Sequence, residues 1–327
     1  MRKKERNFES VADLIEAEKK FILGTHVQPD GDAIGSLLGL GLLLMSLGKE
    51  VFLSWGEPIS VPPQYSFLPG IELVKDPSLC SSDFDNFIAL DCATIDRLGV
   101  LAKVAKETKN LINIDHHHKT ERFGTVNILD EQSSSTSDIL LGIADALSLK
   151  LNKDIATCFY VGIVTDTGRF QYSNTTADTF RAAEELLGYG VEPNRIFQNL
   201  YERTSFEYVK LQGRLLERAQ LVKDQGLIYT WILQDDFRET NAKMAETENL
   251  IDSLRSVKGI RVAAVLKQMG NEKFNVSLRA KGEVNVSKLA EQFGGGGHPN
   301  AAGFKSAAGF EKTLENLIEA LKEMKSE

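Results

Sequence analysis

Leu111-Ile112-Asn113-Ile114 runs without a break into Asp115-His116-His117-His118, and few folds can accommodate that junction. The apolar run reads as a buried strand. Ending it in four acid/base or metal-binding groups delivers them to the carboxyl edge of a sheet, where open α/β sheets place their active sites. The surrounding pattern agrees. From about residue 8 to 190, strands expected at Lys20–His26, Glu50–Trp55, Phe84–Cys92 and Asn110–His116 alternate with helices expected at Ala33–Leu47, Ser137–Leu147, Lys153–Thr165 and Ala177–Leu187. That alternation marks βαβ units and a parallel sheet. Gly48 and Gly188 are expected to stop the first and last of these helices.

A mostly polar, helical stretch from Pro193 to about Gln220 carries few strand signals and reads as a linker helix pair. From Gly226 the rhythm changes: a strand at Leu227–Leu233, a helix at Glu248–Val257, then consecutive strands at Arg261–Met269 and Lys273–Ala280. A helix at Ser287–Phe293, the run Gly294–Gly297 and a charged amphipathic helix at Glu311–Lys325 follow. The expected architecture is α/β: a parallel-sheet domain over 1–190, a helical linker over 191–222 and a smaller α+β domain over 223–327.

With 327 residues the chain can bury two separate cores. Its longest apolar stretch, Leu37–Leu47, is interrupted by Gly39, Gly41 and Ser46 and is too short to span a bilayer. The charged start, Met1 to Arg6, is followed by no apolar core and does not read as a signal peptide. Cys80, Cys92 and Cys158 form no CxxC pair; this fits a reducing cytoplasm and argues against a zinc-thiolate site. A net charge of −8 argues against a binder of long duplex nucleic acid. Short ligands with few phosphates remain open, and a homodimer is compatible with the sequence.

Chemistry-bearing groups gather at strand ends. His26-Val27-Gln28-Pro29-Asp30-Gly31-Asp32 leaves the first strand and enters the first helix. Asp30 or Asp32 alone would read as a helix cap; two carboxylates beside a strand-end histidine favour metal binding. Asp91 ends the third strand, as a turn-former or a ligand. Asp166 ends an apolar helix, where its charge opposes the helix dipole and calls for a nearby cation. Five aspartates (Asp30, Asp32, Asp91, Asp115, Asp166) converging with His26, His116 and His117 would repel one another. Two divalent cations resolve that conflict. Oxygen-rich ligation with imidazole suits Mn²⁺, with Mg²⁺, Co²⁺ or Fe²⁺ as competitors. Two such ions ~4 Å apart form a general device for phosphoester hydrolysis.

The ordered motifs H-V-Q-P-D-G-D, Asp91 with Asp96-Arg97, D-H-H at 115–117 and T-D-T-G-R-F at 165–170 resemble those of the DHH phosphoesterase superfamily. G-G-G-G-H-P-N-A-A-G at 294–303 resembles the signature of the DHHA1 substrate domain. Length and domain content resemble the NrnA-type nanoRNases, which also dephosphorylate 3′-phosphoadenosine 5′-phosphate.

The resemblance implies that His26 and Asp30 hold one metal, Asp32, His116 and Asp166 the other, and that Asp91 bridges them. His117 would face the scissile phosphate, with Asp115 close behind it, orienting a ligand histidine. His118 reads as a surface or supporting residue. Arg97, Arg279, Gly295, Gly296, Gly297 and His298 would bind substrate, the glycines by letting backbone N–H groups approach an anion. For Arg97 a structural ion pair is an equal reading, and for Arg279 a plain strand-end position. Ser133–Thr136 reads equally as a helix cap or a phosphate contact; Phe170 and Tyr172 read as core, or as platforms for a base. The implied reaction releases nucleoside 5′-monophosphates from short single-stranded oligonucleotides in a cleft between the domains. A phosphodiesterase for linear or cyclic dinucleotides (pApA or cyclic di-AMP) is the alternative, and a non-catalytic nucleotide sensor a more distant one.

Overall fold

The computed structural model describes residues 8–324 except 58, 82, 248, 249 and 271, and leaves the side chains of residues 245 and 298 undescribed. The chain divides into two compact units, Met1–Arg203 and Thr204–Glu327. The first contains, in order, α1 (Glu9–Ala17), β1 (Lys20–Thr25), α2 (Gly31–Ser46), β2 (Glu50–Trp55), β3 (Asn86–Leu90), α3 (Leu101–Glu107), β4 (Asn110–Asp115), β5 (Val126–Leu129), α4 (Thr136–Ala146), α5 (Lys153–Asp166), α6 (Ala177–Gly188) and α7 (Pro193–Tyr201).

Its five strands pair in parallel in the order β2-β1-β3-β4-β5. The chain leaves β1 for β2 on one side and returns on the other for β3. The carboxyl ends of β1 and β3 therefore flank a topological switch point, the crevice where open sheets bind ligands. Successive strand residues enter opposite cores: Phe21, Leu23, Ile88, Leu90, Ile112 and Ile114 join one with residues of α2, α4 and α5. Ile22, Phe87, Ala89 and Leu111 join the other with Leu98, Leu101 and Ala105. Burial on both faces explains why these strands read as apolar runs without alternation.

Helices α2 and α5 touch through backbone. A Cβ on Gly35 would lie 2.5 Å from the Cys158 carbonyl oxygen and 2.9 Å from the Gly162 nitrogen. One on Gly31 would meet the Thr165 side chain at 2.3 Å. This antiparallel contact sets the amino end of α2 beside the carboxyl end of α5. Gly48 stops α2 in the left-handed region (φ 77), as expected. Gly188 does not play that part for α6: it is the last helical residue, and Gly190 (φ 87) makes the left-handed stop.

The second unit contains α8 (Phe206–Glu217), β6 (Gln220–Val222), β7 (Leu227–Ile232), α9 (Gln234–Thr240), α10 (Leu250–Arg255), β8 (Val262–Gly270), β9 (Lys273–Ala280), α11 (Val286–Glu291), β10 (Gly296–His298), β11 (Ala301–Ser306) and α12 (Phe310–Glu323). The six strands form one mixed sheet, β10-β11-β9-β8-β7-β6, in which only β7 and β8 pair in parallel. Residues of α11 and α12 pack on one face, and those of α8 and α10 on the other. The stretch 191–222 is helical, but it divides between the units: α7 falls in the first, α8 and β6 in the second. Among the described residues no helix is long and apolar enough to cross a membrane.

Candidate metal centre

The switch point gathers the carboxylates and imidazoles. His26 follows β1 and is 5% exposed. Its Nδ1 lies 2.9 Å from the Val27 carbonyl oxygen; a proton on Nδ1 directed at that carbonyl leaves Nε2 free to ligate. That Nε2 is 3.7 Å from Asp91 Oδ2. Burial disfavours charge on His26, but Asp91 and the Val27 carbonyl outweigh it and raise its pKa. Asp30 is the N-cap of α2: its Oδ1 accepts the N–H groups of Asp32 (3.0 Å) and Ala33 (3.1 Å). Capping and ligation are compatible here, because Asp30 also stands in one compact group with His26 and Asp91.

Asp91 follows β3 in the left-handed region, φ 57. A non-glycine residue there carries backbone strain of the kind found at functional sites. The conformation turns its carboxylate between two groups of side chains. Oδ2 faces His26; Oδ1 lies 3.7 Å from His116 Nε2 and 3.5 Å from His117 Nδ1. Asp91 is thus common to both compact ligand groups, His26–Asp30–Asp91 and Asp91–His116–His117.

Asp32, in the first turn of α2, is 1% exposed. Its Oδ2 accepts the Thr136 N–H at 2.6 Å and its Oδ1 the Ser137 N–H at 3.0 Å. The amino end of α4 thus donates its free N–H groups to a buried carboxylate, a favourable use of the helix dipole. Even so, burial and the charges of Asp91, Asp166 and Asp30 hold Asp32 well above the usual carboxylate range. Asp166, ending α5, is pushed up to about 6, first by burial, with Asp91 and Asp30 adding to it against the pull of His116. Burial raises Asp91 too, but the nearby His26 and the charges of His117 and His116 bring it below the usual range.

His116 tests whether these residues suit a metal. Its Nε2 is buried and has no hydrogen-bond partner. Three carboxylate oxygens surround it: Asp166 Oδ2 at 3.6 Å, Asp91 Oδ1 at 3.7 Å and Asp32 Oδ2 at 3.9 Å. These distances are too long for hydrogen bonds, and a buried orphan atom amid converging carboxylates is the environment a cation resolves. The donor set fits a divalent ion.

Asp115 is fully buried and serves His117. Its Oδ1 accepts from His117 Nδ1 at 2.8 Å and from the His116 N–H at 2.9 Å, while Thr120 donates to Oδ2. The expectation is that Asp115 orients a ligand histidine; the ring it bonds is that of His117. The hydrogen bond raises the His117 pKa to about 9 against the opposing effect of burial, with Asp91 adding to it. His118 is turned to Glu131, Nδ1 to Oε2 2.6 Å, and its side chain is 74% exposed. Arg97 lies beside His26, Nη2 3.1 Å from Nδ1, and its carbonyl accepts the Val27 N–H at 2.9 Å. Sequence reading weighed Ser133–Thr136 as cap or phosphate contact. Ser135 does cap α4, accepting the Asp138 N–H, while Thr136 Oγ1 donates to Asp91 Oδ1 at 3.0 Å. Ser36, Ser137 and Asn174 were missed; each bonds a site carboxylate or a group that does. For Ser36 and Ser137 the sequence signal is a polar residue in an otherwise apolar helix; Asn174 stands in the turn between α5 and α6.

In the second unit, Arg279 sits next to the end of β9, paired with Ala301 of β11. The glycine run is not an open row of four donors. The N–H groups of Gly294 and Gly295 bond Glu291 and Ala290 and close α11, while Gly296 and Gly297 enter β10. The His298 side chain lies outside the described residues.

Residues 20–163 match the family model "DHH family, N-terminal domain", and residues 224–327 match "DHHA1 domain". A bifunctional oligoribonuclease and PAP phosphatase, NrnA, of Thermus thermophilus is 34% identical over 96% of this chain and 93% of that protein. The cyclic-di-AMP phosphodiesterase GdpP of Geobacillus thermodenitrificans is 28% identical over 94% of this chain, which spans 48% of that longer protein. The crystal structure of an exopolyphosphatase-related protein from Bacteroides fragilis superposes with a TM-score of 0.87 at 26% identity, covering 99% of this chain and 97% of that one. The chain belongs to the DHH family of phosphoesterases that carry a DHHA1 domain.

Proposed function

We propose that this protein is a two-metal phosphoesterase that hydrolyses short oligonucleotides to nucleoside 5′-monophosphates and also dephosphorylates 3′-phosphoadenosine 5′-phosphate. The observation that carries the reading is Asp91, common to two His/Asp groups, beside a buried His116 Nε2 that has no hydrogen-bond partner and faces three carboxylates. The similarity to NrnA along almost the whole chain supports the substrate class.

In this reading His26 and Asp30 hold one ion, Asp32, His116 and Asp166 the other, and Asp91 lies between. Mn²⁺ suits the donors best, with Mg²⁺ and Co²⁺ as alternatives. When bound, the ions supply a nucleophile at neutral pH and charge stabilisation for the phosphoryl oxygens. His117, held as imidazolium by Asp115, places a positive charge and an Nε2 proton at the phosphate, where it neutralises a non-bridging oxygen or protonates the leaving group. The α4 amino end and Thr136 keep Asp32 and Asp91 oriented before substrate arrives. Arg279, Gly296, Gly297 and His298 bind the substrate's remaining phosphate, the Gly295 N–H being taken by the Ala290 carbonyl. Few phosphate contacts suffice for a short strand, which reconciles the function with an acidic chain.

Similarity to GdpP favours a linear or cyclic dinucleotide phosphodiesterase as the second reading. Incubation with Mn²⁺ and a dinucleotide, a five-mer, a long single strand, 3′-phosphoadenosine 5′-phosphate, cyclic di-AMP and pyrophosphate separates the two. Mononucleotides released from dinucleotide and five-mer, with adenosine monophosphate from the third small substrate, support the proposal. Preferential turnover of pyrophosphate, or of cyclic di-AMP alone, overturns it.

A further inference from the structure

Strand register sorts the second unit's sheet into a covered face and a partly open one. Phe274, Val276, Leu278 and Ala280 of β9, with Ala302 and Phe304 of β11, enter the core beneath α11 and α12. The alternate residues therefore share the opposite face. Register aligns them in rows: Arg279 with Ala301 and the backbone of His298, Ser277 with Gly303 and Gly296, Asn275 with Lys305. On this face α8 and α10 cover β7 and β8, through Ile228, Ile232, Ala263 and Val265. Beyond them Ser277 and Lys305 are exposed, and a Cβ on Gly296 would meet nothing within 4 Å.

The exposed part is a floor of small residues with cations at both ends. Arg279 stands at one end. At the other, Lys273, Asn275, Lys305 and Met269, with Phe274 and Ser306 from the covered side, line an open cavity of about 280 Å³ at the end of the sheet. Among the described residues no carboxylate is paired with Arg279, Lys273 or Lys305. Unpaired cations along one sheet face, in a chain of net charge −8, suit a polyanion. Arg279 and Asn275 are four residues apart on β9, about 13 Å at the ~3.3 Å rise of a strand. A stacked nucleic-acid strand advances ~3.4 Å per nucleotide, so this distance corresponds to about four nucleotides.

We propose that the Lys273–Asn275–Lys305 cavity is a second phosphate subsite, engaged by single-stranded oligonucleotides of about four nucleotides or more and out of reach of a dinucleotide. Met269, 44% exposed at its rim, offers an apolar surface to a base. The proposal rests on the oligonucleotide reading above and adds to it a dependence on substrate length.

The test compares the wild-type chain with Lys273→Ala/Lys305→Ala and Lys273→Arg/Lys305→Arg, using a dinucleotide and a five-mer of one sequence. Turnover with Mn²⁺ and metal-free binding by fluorescence anisotropy are both measured. For the alanine pair we expect KM and Kd for the five-mer to rise roughly five- to tenfold and its salt slope to flatten by about 1 per lysine. The dinucleotide should change less than about twofold, and the arginine pair should restore five-mer binding. An unchanged five-mer, or equal weakening of both substrates, overturns the subsite. Absence of oligonucleotide turnover in the wild type would instead overturn the proposed activity, while the ratio of the two binding constants would still decide the subsite.

Discussion

Replacing Asp115 by asparagine isolates the electrostatic part of the His117 contact. The amide keeps an oxygen for His117 Nδ1 and the His116 N–H, at 2.8 and 2.9 Å in the parent, and removes the charge together with the acceptor for Thr120. Asp115 is the largest cause of a His117 pKa raised from 6.5 to about 9, a difference of about 3 kcal/mol between protonation states. The His117 side chain is 46% exposed, so solvent screening reduces its worth to roughly 1–2 kcal/mol. The sign follows from linkage. A histidine whose folded pKa is raised contributes stability that is fully present below pH 6.5 and lost as pH rises through about 9. Metal-free Asp115→Asn should therefore melt below the wild type at pH 6 and approach it at pH 9.5. The His117 ring resonances, followed by NMR, should titrate at about 9 in the parent and clearly lower in the variant. In the metal-loaded enzyme the alkaline limb of kcat should move to lower pH. A His117 titration unchanged by the substitution would refute the pairing.

Other outcomes follow from the site's geometry. Asp166, pushed up to about 6 by burial and neighbouring carboxylates, binds more protons folded than unfolded. Metal-free stability should fall as pH rises from about 4 to 6, by at most about 3 kcal/mol from this group. Metal-free protein should thus melt higher at pH 5 than at pH 7, and saturating Mn²⁺ should reverse that order; a metal-free melt lower at pH 5 contradicts it. Gly162→Ala puts a methyl 2.0 Å from Ser137 Oγ and 2.6 Å from Asp32 Oδ1. It should cost about 1–3 kcal/mol and weaken Mn²⁺ binding. Gly213→Ala in α8 meets nothing within 4 Å and should stabilise by roughly 0.5–1 kcal/mol; equal effects of the two would argue against close packing at Gly162. Thr136→Val removes the hydroxyl on Asp91 and should lower Mn²⁺ affinity about 10-fold or more with an unchanged circular dichroism spectrum.

Elements with strong periodicity were legible in the sequence. Strands β1 to β4 and helices α2, α4, α5 and α6 lie within two residues of their expected positions at nearly every end, because each buries an apolar run of its own. The strands missed were those whose pairing is imposed from outside. β10 and the start of β11 are built from glycine, alanine and one histidine, residues of low strand propensity; β11 pairs because Arg279 and Leu278 of β9 stand opposite, and β10 pairs in turn on β11. β5 is four residues long, and α3 is seven. At the site, each expected ligand of the first unit reaches the switch point, since a strand end or helix end sets its place. The left-handed Asp91 was not legible: its conformation depends on the Ile114 carbonyl, which accepts its N–H at 3.0 Å. Nor were the α4 N–H groups on Asp32, which arise from packing 104 residues away in sequence.

The central claim is that Asp91 is shared by two metal ions at the switch point. Calorimetric titration of metal-free protein with Mn²⁺, for the wild type and Asp91→Asn, measures it directly. The account predicts two ions per wild-type chain, at most one in the variant, and loss of dinucleotide hydrolysis with the second ion. A wild type that saturates at one ion, or a variant that binds two and retains full turnover, would contradict it.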